Sequence, residues 1–273
     1  MKLNATQFGQ RVITALLFGI ALLVPLFIGK VTGLLILGVL CLLTIMEYLQ
    51  LQGLSGYRLL FSTGLAMLMY LGLTLITLKD GVGLPVKYGT YLALAFSVLL
   101  LYRLYRRDDP FLFSLQVLPA TLYVAIPFAL LYAVAIWSGS YKPIWLVAIL
   151  LFVWINDIMA YLVGRSIGRR PFSRQISPNK TWEGTIAGWL GCLIMALLLW
   201  KFLGLLTLFA WVILGSLVGI TSSIGDLVES LFKRKKEIKD SGTFLPGHGG
   251  FLDRLDSLLF AAPFIALFFI ICM

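Results

Sequence analysis

Four acids in the second half of the chain stand in two close pairs, Asp226 with Glu229 and Asp253 with Asp256. A spacing of three residues puts both members of a pair on one helical face. Like charges that close repel, and a divalent cation removes the penalty. Hard carboxylate oxygens make Mg²⁺ the natural ion, with room for a second cation. The plainer alternative is solvated helix-end acids paired with Lys233 or Arg254. A further acid, Asp157, sits inside the apolar run Trp154-Ile-Asn-Asp-Ile-Met-Ala-Tyr161. A carboxylate at membrane depth is costly and faces a polar cavity or a partner; simple pairing with an Arg in helix packing is the alternative. Asn156 points another way around the helix and reads as packing.

Basic and glycine-rich stretches accompany these acids. In Ser177-Pro178-Asn179-Lys180-Thr181, Pro178 biases Ser177 away from helix. Ser or Thr ahead of Glu183 and Gly184 suits a helix start. Lys180 and the local amides would then face a phosphate at a helix N-terminus, or form an ordinary cap with orienting charge. Pro246-Gly247-His248-Gly249-Gly250 is a turn whose glycines permit positive φ and close backbone approach. Its amides suit an anion-binding concavity. The sole His, His248, suits phosphate binding, proton transfer or tying down the loop. The P-loop pattern and a G-x-G-x-x-G after a strand are both missing, which argues against soluble nucleotide-binding folds.

The elements that must position these groups are membrane helices. The 273 residues are 60% hydrophobic and 12% charged, which excludes an ordinary water-soluble globule and a disordered chain. Nine apolar runs approach the length needed to span a bilayer: 11–28, 31–50, 59–78, 88–104, 115–136, 143–163, 182–203, 205–224 and 257–273. The first follows Lys2 and Arg11 like a signal peptide, but no small-residue cleavage site follows it and it reads as a retained anchor. Cys41, Cys192 and Cys272 show no metal or disulfide spacing.

With the N-terminus cytoplasmic, 17 of the 22 Lys and Arg fall on that side and five on the other. That asymmetry follows the positive-inside rule. The expectation is an all-α, polytopic integral membrane protein with about nine transmembrane helices. Residues 1–140 read as scaffold, with Glu47, Asp80, Asp108 and Asp109 in loops or near a span end. Residues 141–273 read as the catalytic region, with cytoplasmic connections 164–181 and 225–256 that hold 11 of those 17 basic residues.

The run Ser230-x-x-Lys233-Arg234-x₄-Lys239-Asp240-x-Gly242-x-x-Leu245-Pro246-x-His248-Gly249-Gly250-x-x-Asp253-Arg254-x-Asp256 resembles the signature of the phosphatidate cytidylyltransferases. Asp157 with Ala160, Tyr161 and Gly164, then Ser177 to Gly184, then Gly225 to Ser230 agree in order. The resemblance covers roughly 150–260. Ile158-Met159 departs from it, where bacterial members commonly carry small or polar residues. The resemblance implies transfer of CMP from CTP to phosphatidic acid by a Mg²⁺-dependent, often dimeric enzyme of the cell (inner) membrane, its active site toward the cytoplasm. Nucleic acid is not an expected partner.

Carried onto this chain, the expected metal ligands are Asp226, Asp253 and Asp256, with Asp157 lining the same cavity. Lys180, Lys239 and Arg254 neutralise CTP phosphates, and Ser177 and His248 orient them. Thr181, Lys233, Arg234, Gly249 and Gly250 complete the substrate site. Rival readings are a related membrane enzyme acting on an isoprenoid lipid phosphate or a lipid alcohol, and a secondary transporter. The transporter fits less well, because the acids cluster toward one face and no repeat is visible.

Overall fold

The computed structural model describes residues 19–106, 116–238, 241–242 and 249–273. Its helices are α1 (Gly19–Ile28), α2 (Lys30–Leu51), α3 (Gly56–Asp80), α4 (Leu84–Arg106), α5 (Val117–Ile136), α6 (Ile144–Ile167), α7 (Trp182–Leu203), α8 (Leu208–Lys235) and α9 (Leu252–Cys272). Among the described residues, eight are long and apolar enough to cross a membrane and α1 is shorter. The first expected span, 11–28, lies partly outside the described residues.

Burial sorts the helices by role. Every residue from Ile126 to Ile136 of α5 is buried, as in a helix that is apolar all round and sits at the centre. By contrast α3 exposes Leu60, Phe61, Leu68 and Leu75, a surface suited to lipid. One widened turn, Thr121–Ala125, interrupts α5. Pro127 follows it and has no N–H to give the Tyr123 carbonyl, so the local ladder cannot close in the ordinary α pattern.

Small residues let α6 and α7 approach closely. A Cβ added at Gly184 would lie 2.6 Å from the Ala160 carbonyl oxygen, and one at Gly188 would lie 2.6 Å from Asn156 Oδ1. Such spacing of small residues is how membrane helices bring backbones together. Gly225 plays the same part between α8 and α9, where a Cβ would meet the Asp256 carbonyl oxygen at 2.9 Å.

Two findings differ from the hydropathy reading. The connection 225–256 begins and ends as helix: α8 runs on to Lys235 and α9 starts at Leu252. Charges end the apolar window near 224, yet Leu227, Val228, Leu231 and Phe232 continue a buried stripe, so the helix continues with them. The connection 164–181 contains a two-stranded antiparallel ribbon, β1 (Pro171–Ser173) and β2 (Ser177–Thr181), the one sheet among the described residues. Phe172 packs against Trp182 with ring centroids 4.4 Å apart and the rings tilted by 50°, and Arg234 Nε donates to the Ile176 carbonyl at 3.2 Å, fastening the ribbon's turn to α8.

Candidate active site

The extended α8 places Asp226, Glu229 and Lys233 along one face, and the first turns of α9 bring Asp253 and Asp256 against it. Carboxylate oxygens of Asp226, Glu229 and Asp256 lie within 4.8 Å of one another. Glu229 is 1% exposed and Asp256 6%. Among the described residues, Glu229 Oε1 is buried without a hydrogen-bond partner. Three converging carboxylates with an unsatisfied buried oxygen fit a hard divalent cation, which needs oxygen ligands and offsets their repulsion.

Asp253 is engaged differently. Lys233 Nζ stands 2.9 Å from Asp253 Oδ1 and 2.5 Å from Glu229 Oε2. The amides of Ser241 and Gly250 donate to Asp253 Oδ2 at 3.0 and 2.9 Å. Gly249 has φ +85°, and a Cβ there would lie 2.7 Å from that oxygen. The Gly249-Gly250 turn is thus folded onto Asp253, and its Gly250 amide serves a carboxylate of the protein. The structure does not bring Asp253 into the three-acid group; Glu229 stands there.

Beside the acids lies a cavity of about 500 Å³ lined by Asn156, Asp157, Tyr161, Arg165, Asn179, Lys180, Thr181, Thr185, Ser223 and Asp226, among others. Asp226 belongs to both features. Lys180 reaches across from β2, with Nζ 2.5 Å from Asp226 Oδ2 and 3.1 Å from the Ser223 carbonyl oxygen. Asn156 Nδ2 donates to Asp157 Oδ1 at 3.3 Å and to Ser223 Oγ at 3.4 Å. Asn156 therefore orients Asp157, a part that its sequence neighbourhood did not announce.

Thr181 is the N-cap of α7, its Oγ1 accepting the Gly184 amide at 3.2 Å. Glu183 Oε2 takes the amides of Arg169 and Arg170, each at 3.2 Å, and so closes the 164–181 segment. Ser177 begins β2 opposite Ser173. Arg234 and Arg254 are exposed at the helix ends. Lys239 and His248 lie outside the described residues. Glu47 joins the site from α2: its Oε2 accepts the Leu252 amide at 2.8 Å. An acid in the apolar run Leu42-Leu-Thr-Ile-Met-Glu47 was the available signal for it.

The Cytidylyltransferase family matches this chain over residues 9–272. The phosphatidate cytidylyltransferase of Staphylococcus aureus (strain COL) is 32% identical over 260 residues, 93% of this chain and 96% of that protein. The phosphatidate cytidylyltransferase of Haemophilus influenzae is 40% identical over 129 residues, 45% of either chain. Phosphatidate cytidylyltransferase 4, chloroplastic, of Arabidopsis thaliana is 49% identical over 106 residues, 38% of this chain and 27% of that protein. The match therefore spans less than half the length of the last two proteins, while the staphylococcal match is nearly end to end. Together with the eight long apolar helices, these likenesses establish that the chain is a membrane protein belonging to the cytidylyltransferase family.

Proposed function

We propose that this protein transfers CMP from CTP to phosphatidic acid, giving CDP-diacylglycerol and pyrophosphate, with the site toward the cytoplasm. An oxygen of the lipid phosphate attacks the α-phosphorus of CTP. The bond from that phosphorus to the bridging oxygen of the β-phosphate breaks, and pyrophosphate leaves. The lipid phosphate is already a nucleophile at neutral pH, so positioning and charge neutralisation suffice. The observation that carries the reading is the meeting of Lys180 with Asp226, where a cavity of about 500 Å³ adjoins the three-acid group.

Asp226, Glu229 and Asp256 would hold Mg²⁺, with Asp157 on the cavity wall and Asp253 held beside them by Lys233. Bound there, the cation would offset negative charge on the phosphates. Lys180 and Arg254 add fixed positive charge. Exposed Tyr161 and Arg165 at the cavity edge, with Arg165 donating to the Tyr161 hydroxyl at 2.8 Å, give a lipid headgroup a polar entrance beside the apolar surface of α6.

Detergent-solubilised protein supplied with radiolabelled CTP and phosphatidic acid tests this. Label passing into organic-extractable lipid only when Mg²⁺ is present is the expected result. Absence of labelled lipid from folded protein with both substrates and Mg²⁺ would overturn it.

A further inference from the structure

Glu47 of α2 is 1% exposed and has no ion-pair partner among the described residues. Burying an unpaired charge is costly, and packing alone would be served by an apolar side chain. What the carboxylate does have is a set of contacts to the far end of the chain. Its Oε2 accepts the Leu252 amide at 2.8 Å and lies 3.5 Å from Ser241 Oγ. Helix α9 starts at Leu252, and its N-cap Phe251 makes no side-chain cap bond. Glu47 supplies from α2 what a local Ser or Asp ordinarily supplies, an acceptor for an open amide and a negative charge at the positive end of the helix.

The glycines of the same segment fit around this group. A Cβ on Gly242 would collide with the Glu47 carboxylate, and one on Gly250 would lie 2.6 and 2.7 Å from its two oxygens. The adjacent Tyr48 holds α2 in place, its ring 5.7 Å from that of Tyr123 and 5.6 Å, edge-on, from that of Phe232. Phe232 immediately precedes Lys233, which holds Asp253. Helix α2 is therefore fixed to α8 by rings and to the start of α9 by a carboxylate.

We propose that Glu47 is a positioning residue for the transferase reaction. By holding Ser241, Gly242, Gly250 and the first turn of α9, it sets Asp253 and Asp256 against Asp226 and Glu229. The inference rests on the cytidylyltransferase reading above.

The test uses the full-length protein in detergent and CDP-diacylglycerol synthesis. Glu47→Ala should lower kcat by about tenfold or more, since misplacement of about 1 Å is enough for such losses. The CTP KM should move by less than about threefold, because the residues lining the nucleotide cavity are untouched. Glu47→Gln, which keeps an acceptor for the Leu252 amide, should recover most of kcat. Gly242→Ala should lose kcat like Glu47→Ala, and the double variant should be no worse than either single one, because its new methyl group collides only with Glu47.

Glu47→Ala with parental kcat, Glu47→Gln as impaired as Glu47→Ala, or losses that multiply in the double variant would each overturn the inference. Should Glu47→Ala fail to fold, Glu47→Asp, which withdraws the carboxylate from Gly242, takes its place in the double variant with the same criteria. A parent protein without CDP-diacylglycerol synthesis overturns the transferase reading itself. An active parent with an equally active Glu47→Ala overturns this inference alone.

Discussion

Lys180 Nζ lies 2.5 Å from Asp226 Oδ2, and that contact joins the β2 ribbon to the acid-bearing face of α8. The two side chains are 23% and 40% exposed, so solvent screens the pair and its worth to stability is small. In the proposed reaction its worth to chemistry is larger, since a fixed ammonium at the cavity wall acts on charge developing on the phosphates. Lys180→Ala should lower kcat/KM for CTP by about 10²-fold and shift the thermal midpoint little. Steady-state kinetics beside a melting curve separates the two, and an unchanged kcat/KM would remove Lys180 from the site.

Metal dependence should divide the acids. Asp256→Asn and Glu229→Gln each remove a carboxylate from the three-acid group proposed to hold Mg²⁺, so the Mg²⁺ concentration for half-maximal activity should rise about tenfold or more. Asp253→Asn should shift that concentration less, because Asp253 is bonded to Lys233 and two amides. A Mg²⁺ titration of the three variants reads the difference, and equal shifts would place Asp253 among the ligands.

Lys233 is shared by Glu229 of α8 and Asp253 of α9. Removing it leaves two enclosed carboxylates without their cation, a change that costs about 3–5 kcal/mol in comparable buried sites. Lys233→Ala should accordingly melt well below the parent. Lys233→Ala combined with Glu229→Gln should recover part of the loss, as one orphaned charge is then removed. Differential scanning fluorimetry in detergent checks both, and additive losses would refute the shared pairing.

Gly188→Ala should be damaging where Gly64→Ala is not. A methyl group at 188 would press on Asn156 Oδ1 at 2.6 Å and on the Asn156 carbonyl at 2.7 Å, whereas nothing lies within 4 Å of one at 64. Overpacking of this kind costs about 1–3 kcal/mol, and here it would also displace Asp157 through Asn156. The Gly64 change replaces glycine by a better helix former in α3, and its thermal midpoint should stay level or rise. A Gly188→Ala protein with parental melting and turnover would count against the tight α6–α7 contact.

Much of this site is legible in local sequence because its geometry is local. Asp226 and Glu229 meet through an i,i+3 spacing, and Thr181 caps the helix that Glu183 and Gly184 announce. Placing Glu229 with Asp226 and Asp256 needed the packing of α8 against α9, which also sets Lys233 between Glu229 and Asp253. Glu47 escaped for a related reason. A carboxylate near the end of an apolar run reads as reaching water, and only the fold shows Leu252 and Gly250 covering it. Asn156 likewise looked like packing until Ser223 of α8 came within 3.4 Å. The length of α8 was hidden because hydropathy stops at the first charges while its buried stripe continues through Phe232.

The widened turn at Thr121–Ala125 amounts to one surplus residue in α5. Each residue of an α-helix turns the chain by about 100°, so the surplus lets the stretches before and after it keep independent angular settings. Downstream, Ile126 to Ile136 are oriented for the protein centre. Within the turn, Tyr123 is aimed at Phe232, their rings 5.4 Å apart and edge-on. Shortening the chain by one residue there would remove that surplus and swing Tyr123 away from α8. The same deletion in α6 would rotate Asp157 off the cavity wall with no slack to absorb it.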